Sequence, residues 1–218
     1  MFESVTVIGA GRAGSAIAAR LRERGVRTSE DGALRLLCVP DRAIGEVARA
    51  IPVGPWIAHV SGATPLAELA PHVRRFSVHP LQTLTKQRGP EQLDGAWAAV
   101  TGESPEALGH AHTLAETLGL RPFVLADDRR ALYHAGAAMA SNFLVTLHDA
   151  AARLLDDAGA PPEALTPLME RTIANDFDLT GPIARGDRTT VERHLAAIHA
   201  EEPGLEPLYA ALAEATRG

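Results

Sequence analysis

Residues 5–14, Val5-Thr6-Val7-Ile8-Gly9-Ala10-Gly11-Arg12-Ala13-Gly14, run from an apolar strand pattern straight into a glycine-rich turn that opens a helix. The spacing is G-x-G-x-x-G, and each glycine has its own physical task. Gly9 permits the tight turn, Gly11 lets backbone approach a pyrophosphate, and Gly14 lets the helix pack against the strand. The helix N-terminus offers free N–H groups and partial positive charge to the phosphates. An amphipathic helix follows, with Ile17, Ala18 and Leu21 on one face. Strand, turn and helix together predict a dinucleotide-binding fold whose cofactor-binding residues include Gly9, Ala10, Gly11, Arg12, Ala13 and Gly14.

The chain has 218 residues, enough for one large domain or two small ones. Its 46% hydrophobic and 22% charged content is that of an ordinary globular protein with a real core. A net charge of -6 argues against a nucleic-acid surface. Lys86 is the only lysine, so a mechanism needing a lysine has one candidate. The single cysteine, Cys38, excludes an internal disulfide and a multi-cysteine metal site, and reads as a buried strand thiol. No signal peptide or bilayer-spanning segment is visible, so a cytoplasmic location is expected.

Further strand-like runs at 34–39, 56–60, 76–78, 96–100 and 122–125 alternate with helical or loop segments. This predicts an α/β, Rossmann-like, mainly parallel sheet covered on both faces. Thr64-Pro65 and Ser104-Pro105 read as helix starts, since proline suits a position whose N–H is unsatisfied anyway. After Asp127, which can cap a helix, no strand pattern returns. Helical stretches at about 128–157, 162–176, 188–200 and 204–216 predict a smaller all-α domain. The expected organisation is a dinucleotide-binding domain over residues 1–126 and a helical substrate and dimerisation domain over 127–218. One stretch is short: residues 26–33 leave hardly any room for the second strand of a full dinucleotide fold. Glu30 and Asp31 read equally as ribose ligands and as solvated turn residues.

Ligands of open α/β sheets sit beyond the carboxyl ends of the strands. That singles out Val39 and Pro40, Ser61 in Ser61-Gly62-Ala63-Thr64, and His79 in His79-Pro80-Leu81-Gln82. An imidazole leaving a strand can orient a substrate or exchange a proton near neutral pH, or simply bond the loop backbone. His59 reads as structural, and the remaining histidines lack a metal-ligand spacing, so no metal is expected. On the long helix His134 and Ser141 are seven residues apart and nearly aligned, with Asn142 further round. They can face one cleft or bond neighbouring helices. Arg185, in the turn 180–187, can clamp a carboxylate through its planar fork.

Residues 9–14, Cys38-Val39-Pro40-Asp41, Phe76-Ser77-Val78-His79-Pro80-Leu81-Gln82, Tyr133-His134-Ala135 through Ala140-Ser141-Asn142-Phe143-Leu144, and 180–187 together resemble the bacterial Rossmann-like family called domain of unknown function 2520. The resemblance implies an NAD(P)-binding domain followed by a helical domain of the 6-phosphogluconate dehydrogenase C-terminal type, through which such proteins dimerise. Relatives of that family include ketopantoate reductases, pyrroline-5-carboxylate reductases and prephenate dehydrogenases. The lysine and two asparagines of ketopantoate reductases correspond to His134, Ala138 and Asn142, so the lysine is replaced and one asparagine is missing. The resemblance tips the cofactor towards NADP over NAD.

These readings lead to two function classes. One is an NAD(P)-dependent reductase of a small carboxylate-bearing ketone or imine, ketopantoate being one such substrate. His134, His79 and Asn142 are then catalytic, and Ser61, Ser141, Thr180 and Arg185 bind substrate in a cleft between the domains. The other is a non-catalytic dinucleotide-binding sensor or interaction protein. A homodimer built by the helical domain is expected in either case, because the surface of residues 135–141 is unusually small.

Overall fold

In the computed structural model, which describes residues 2–217, β1 (Ser4–Ile8) leads through the glycine turn into α1 (Arg12–Glu23). There follow β2 (Arg27–Thr28), β3 (Leu34–Leu37), α2 (Ile44–Ala50), β4 (Trp56–His59), β5 (Arg75–Pro80), β6 (Trp97–Gly102), α3 (Pro105–Thr117) and β7 (Arg121–Val124). The strands form one seven-stranded sheet in the order β2-β1-β3-β4-β5-β6-β7. Strands β1 to β5 are parallel; β6 is antiparallel to β5, and β7 is parallel to β6. The reversal at β6 follows from its connection, which holds a single 3-10 turn (Pro90–Leu93) in place of a crossover helix. The architecture is the expected Rossmann-like α/β sheet followed by a helical region.

Side chains alternate across a strand, and this divides the core. Leu34, Leu36, Ala58, Phe76 and Val78 pack with Ile17 and Leu21 of α1 and Ala111 and Leu114 of α3. Leu37 and Ile57, on the opposite face, meet Ile44 and Ala48 of α2 together with Leu66 and Leu69. Each leucine, isoleucine, valine or phenylalanine among them contributes about 1.5–3 kcal/mol when fully buried, so both faces of the sheet anchor the strand ends.

The short stretch after α1 does contain a second strand, of only two residues, paired at Ser4↔Arg27 and Val5↔Thr28. Residues 29–33 then carry the chain from one flank of β1 to β3 on the other. A Cβ at Gly32 would lie 2.6 Å from the backbone nitrogen of Thr6 and 2.6 Å from the carbonyl carbon of Val5. The crossing therefore presses directly on the backbone of β1. It is pinned by the Gly32 and Ala33 N–H groups, which donate to the hydroxyls of Thr6 (2.9 Å) and Ser4 (3.1 Å).

Two local expectations are corrected. Thr64-Pro65 opens only a 3-10 turn (Leu66–Leu69), because Ala70 precedes Pro71 and a residue before proline disfavours helix. Asp127 does not cap the long helix; its carboxylate accepts from the Leu66 N–H and from Nε of Arg130. Ser104-Pro105 does open a helix, α3, with the Ser104 hydroxyl accepting from the Ala107 N–H at 3.1 Å.

The helical region comprises α4 (Arg130–Asp157), α5 (Leu165–Ala174), α6 (Arg188–Glu201) and α7 (Glu206–Arg217). The chain divides into two compact units, Met1–Met139 and Ala140–Gly218, and the division falls inside α4. The expected boundary at 126 and 127 lies between the end of β7 and the start of that helix. In the second unit Asp187 caps α6, its carboxylate accepting from the Thr190 N–H (3.0 Å) and hydroxyl (2.7 Å). Val191 and Ile198 of α6 and Ala213 of α7 are buried there. Among the described residues no helix is long and apolar enough to cross a membrane.

Candidate functional site

The glycine turn is built as its spacing predicts. Gly9 adopts a φ of 112°, which L side chains rarely reach, and a Cβ there would sit 2.5 Å from the carbonyl oxygen of Cys38. A Cβ on Gly14 would run into the Gly9 carbonyl, so α1 lies against the turn itself. The Cβ direction of Gly11, in contrast, is open, with nothing within 4 Å. No side chain caps α1, and the Gly11 carbonyl accepts from Ser15 N–H at 3.0 Å. The N–H groups of Arg12, Ala13 and Gly14, which precede that bond, are left for an outside acceptor. Open space over Gly11 beside uncapped donors fits a pyrophosphate. A depression of about 250 Å³ adjoins the turn, and Arg12, Ser15, Lys86 and Arg88 contribute to its walls.

Strand register sets the rest of the site. Ile8 pairs with Leu37, Leu37 with His59, and His59 with Ser77. Two residues further along these parallel segments come Ala10, Val39, Ser61 and His79, all at one edge of the sheet. Three strand spacings, about 14 Å, separate the line of β1 from that of β5. His79 lies inside β5 rather than beyond it, since Pro80 closes the strand.

At that edge His79 meets the first turns of α4. Its Nδ1 is 2.7 Å from the Tyr133 hydroxyl, and its ring centroid is 6.1 Å from that of His134. A Cβ on Gly62 would lie 2.7 Å from Cε1 of His79 and 2.8 Å from Cδ2 of His134. The two imidazoles thus converge over a position that only glycine leaves vacant. Burial, with the nearby His134 and Arg130 charges, lowers the His79 pKa to about 4, against a small opposing effect of Asp41. His79 is therefore neutral at pH 7, which makes it a hydrogen-bonding group and removes it as a source of protons there.

Beneath the pair lies Arg130, whose side chain is 2% exposed. Its guanidinium donates to the Asp127 carboxylate (2.6 Å), the Ser61 carbonyl (3.1 Å) and the Ser77 hydroxyl. One cation thereby ties the loop after β4, strand β5 and the start of α4. His59 is fully buried behind them. Its Nδ1 is placed to accept from the Ser61 N–H at 3.2 Å, which puts the proton of the neutral ring on Nε2. Burial, followed by the charges of Arg130 and His79, holds its pKa down to about 3. Burial also pushes the Cys38 thiol up to about 12, consistent with an inert strand residue.

The remaining expected residues separate. The Ser61 hydroxyl is used within its own loop, donating to Thr64 Oγ1 (2.8 Å) and accepting from the N–H groups of Ala63 and Thr64. It shapes the loop that carries Gly62. Val39 and Pro40 lie at the glycine-turn edge, where a Cβ on Gly9 would be 3.2 Å from the Val39 nitrogen. Ser141, Asn142, Thr180 and Arg185 belong to the second unit. There the Ser141 hydroxyl donates to Oδ1 of Asn142 at 3.4 Å, and the Arg185 N–H donates to the Gly181 carbonyl at 3.2 Å. Gly62 and Arg130 were missed by the sequence reading. Gly62 looks like any turn glycine, and Arg130 ends the run Asp127-Asp128-Arg129-Arg130, which reads as solvated charge.

The fold and this geometry can be set beside known proteins. No curated protein matches the chain. The crystal structure of a candidate NADP oxidoreductase, BF3122 from Bacteroides fragilis, superposes with a TM-score of 0.82 at 22% identity, covering 99% of this chain and 98% of that one. Protein TM1727 from Thermotoga maritima follows at a TM-score of 0.78 and 22% identity, covering 98% and 96%. The 1-pyrroline-5-carboxylate reductase of Streptococcus pyogenes gives 0.61 at 14% identity, covering 98% and 96%. These likenesses establish a shared fold across nearly the whole length. The sequence itself matches the family model described as Domain of unknown function (DUF2520) over residues 96–216, more than half of the chain, and the protein belongs to that family.

Proposed function

We propose that this protein is an NAD(P)-dependent reductase acting on a small carboxylate-bearing ketone or imine, with NADP as its preferred cofactor. The observation that carries the reading is the convergence of His79 and His134 over Gly62, at the sheet edge that also holds the open space over Gly11. The solved structures of similar fold that are named as NADP oxidoreductase or reductase support it. Arg12, Lys86 and Arg88 around one depression favour a cofactor with an additional phosphate.

A reduced nicotinamide, when bound across the strand ends, supplies a hydride to the substrate carbon. His134 gives a proton to the carbonyl oxygen or imine nitrogen as that carbon is reduced, and regains one from solvent. His79, neutral, holds a substrate oxygen by hydrogen bonding. Titration with NADPH and NADH, followed by a screen of 2-keto acids and cyclic imines for NADPH oxidation, tests the reading. His134→Ala is expected to lower turnover by about 10²–10⁴-fold with NADPH affinity within about twofold. Full activity in that variant rules out His134 as the acid.

One observation favours the second reading, a dinucleotide sensor without turnover. The crossing at residues 29–33 leaves β1 only a two-residue partner where the adenosine ribose of a dinucleotide is ordinarily held. Tight NADPH binding with no reduction of any keto acid or cyclic imine would establish it. In either reading the protein works as a homodimer assembled through its helical region.

A further inference from the structure

The geometry points to Tyr133 as a positioning residue: its hydroxyl donates to Nδ1 of His79 and fixes that imidazole as the tautomer with its proton on Nε2. The Nε2–H then faces His134 across the space over Gly62, as a donor to an acceptor oxygen of the ligand. That last role rests on the reductase reading; the tautomer does not.

Three observations carry the assignment. The Tyr133 oxygen and His79 Nδ1 are 2.7 Å apart, a short hydrogen bond. Of the two ways to place its proton, O–H to nitrogen joins the better donor to the better acceptor. A phenol, with an ordinary pKa of about 10, is a strong donor, whereas imidazole nitrogen is far more basic than phenol oxygen. The second ring nitrogen, Nε2, lies with Cε1 on the edge turned to Gly62, at 2.9 and 2.7 Å from where a Cβ would be. Tyr133 is itself braced: its ring meets His79 edge-on at 85° and packs against Phe123 of β7 at a centroid distance of 5.9 Å.

The charges around His79 act in the same direction. Beside burial, His134 and Arg130 from α4 disfavour a second proton on the ring, and Asp41 favours it. Burial pushes the Tyr133 phenol up to about 12, so it keeps its proton to donate.

Long-range proton–nitrogen NMR correlation on the full chain labelled with nitrogen-15 histidine reads the tautomer directly, with His79 assigned by the signals lost in His79→Gln. The expected wild-type pattern is a bare Nδ1 and a protonated Nε2 from about pH 8 to about pH 5.5. In Tyr133→Phe the tautomer ratio should fall by about tenfold, the worth of one hydrogen bond. A proton on Nδ1 in the wild type, or an unchanged ratio in Tyr133→Phe, overturns the assignment. Should the variant fail to fold, the wild-type spectrum decides alone, since Nδ1–H refutes the proposal and bare Nδ1 upholds it. None of these spectra needs turnover, so absence of reductase activity is read separately.

Discussion

A Cβ at position 62 would stand 2.7 Å from His79 Cε1 and 2.8 Å from His134 Cδ2. Gly62→Ala therefore displaces both rings, and it also occupies the space where a ligand atom would be held. Ring tips give way at small cost, so the unfolding free energy should change by less than about 1 kcal/mol while turnover falls at least tenfold. Unchanged turnover would show that the space is not used. Two buried histidines, His79 and His59, make stability depend on pH. His79 and His59 have folded pKa values of about 4 and about 3 against an ordinary 6.5. Below about pH 6.5 the unfolded chain takes up protons that the folded chain refuses, so stability falls on acidification. The loss per imidazole reaches about 1.4 kcal/mol for each pH unit. Urea unfolding at about pH 7 and about pH 4.5 should show it, and equal stabilities would contradict the buried neutral rings. His79 and His134 were legible as candidates because imidazoles at a strand end and on a helix face stand out. The neutral state of His79 was not, because it depends on burial and on the neighbouring charges.

Strands were legible wherever apolar residues sat between turn signals, and the helix start at Ser104-Pro105 followed from capping chemistry. The failed start at Thr64-Pro65 is instructive, since the same signature was overruled by a second proline at Pro71. Arg130 left no local trace: nothing in a run of four charges says which one will be buried. Its effect on neighbouring elements is testable through Asp127, whose side chain is 33% exposed. Asp127→Ala leaves the guanidinium buried with the Ser61 carbonyl and the Ser77 hydroxyl, and also leaves the Leu66 N–H without its acceptor. The expected cost is about 3 kcal/mol, the low end for removing one partner of a buried pair. A loss below about 1 kcal/mol in urea unfolding would mean that the pair does not hold these elements together.

At the scale of the whole molecule, the helical region exposes apolar side chains. In α4, 28 residues long, Arg130 alone is buried. Leu132 is 73% exposed, Met139 64% and Phe143 55%. With Gly136 these residues follow one another at i+4, i+3 and i+4, which places them along one face of the helix. Apolar area covered by a second copy contributes about 25 cal/mol per Å², which is the physical case for the proposed homodimer. Light scattering at micromolar concentration should give twice the chain mass, and Phe143→Asp should return it to one. A monomeric wild type would dismiss the dimer. The small-residue surface at 135–141 had suggested such a partner, whereas the exposure of Leu132 and Phe143 could be known only from the folded chain.

The crossing at residues 29–33 has a consequence for genetics. Position 32 has backbone on its inner side at 2.6 Å, and no rotamer relieves a clash with backbone. In an unbiased mutational survey scored by activity, Gly32 would therefore rank among the least tolerant positions, beside Gly11 and His134, although it adjoins neither the glycine turn nor the histidine pair. Selection on such a site records the economy of hopping a strand in so few residues, and a map of intolerance would draw it as a third functional centre unless protein abundance were scored in parallel.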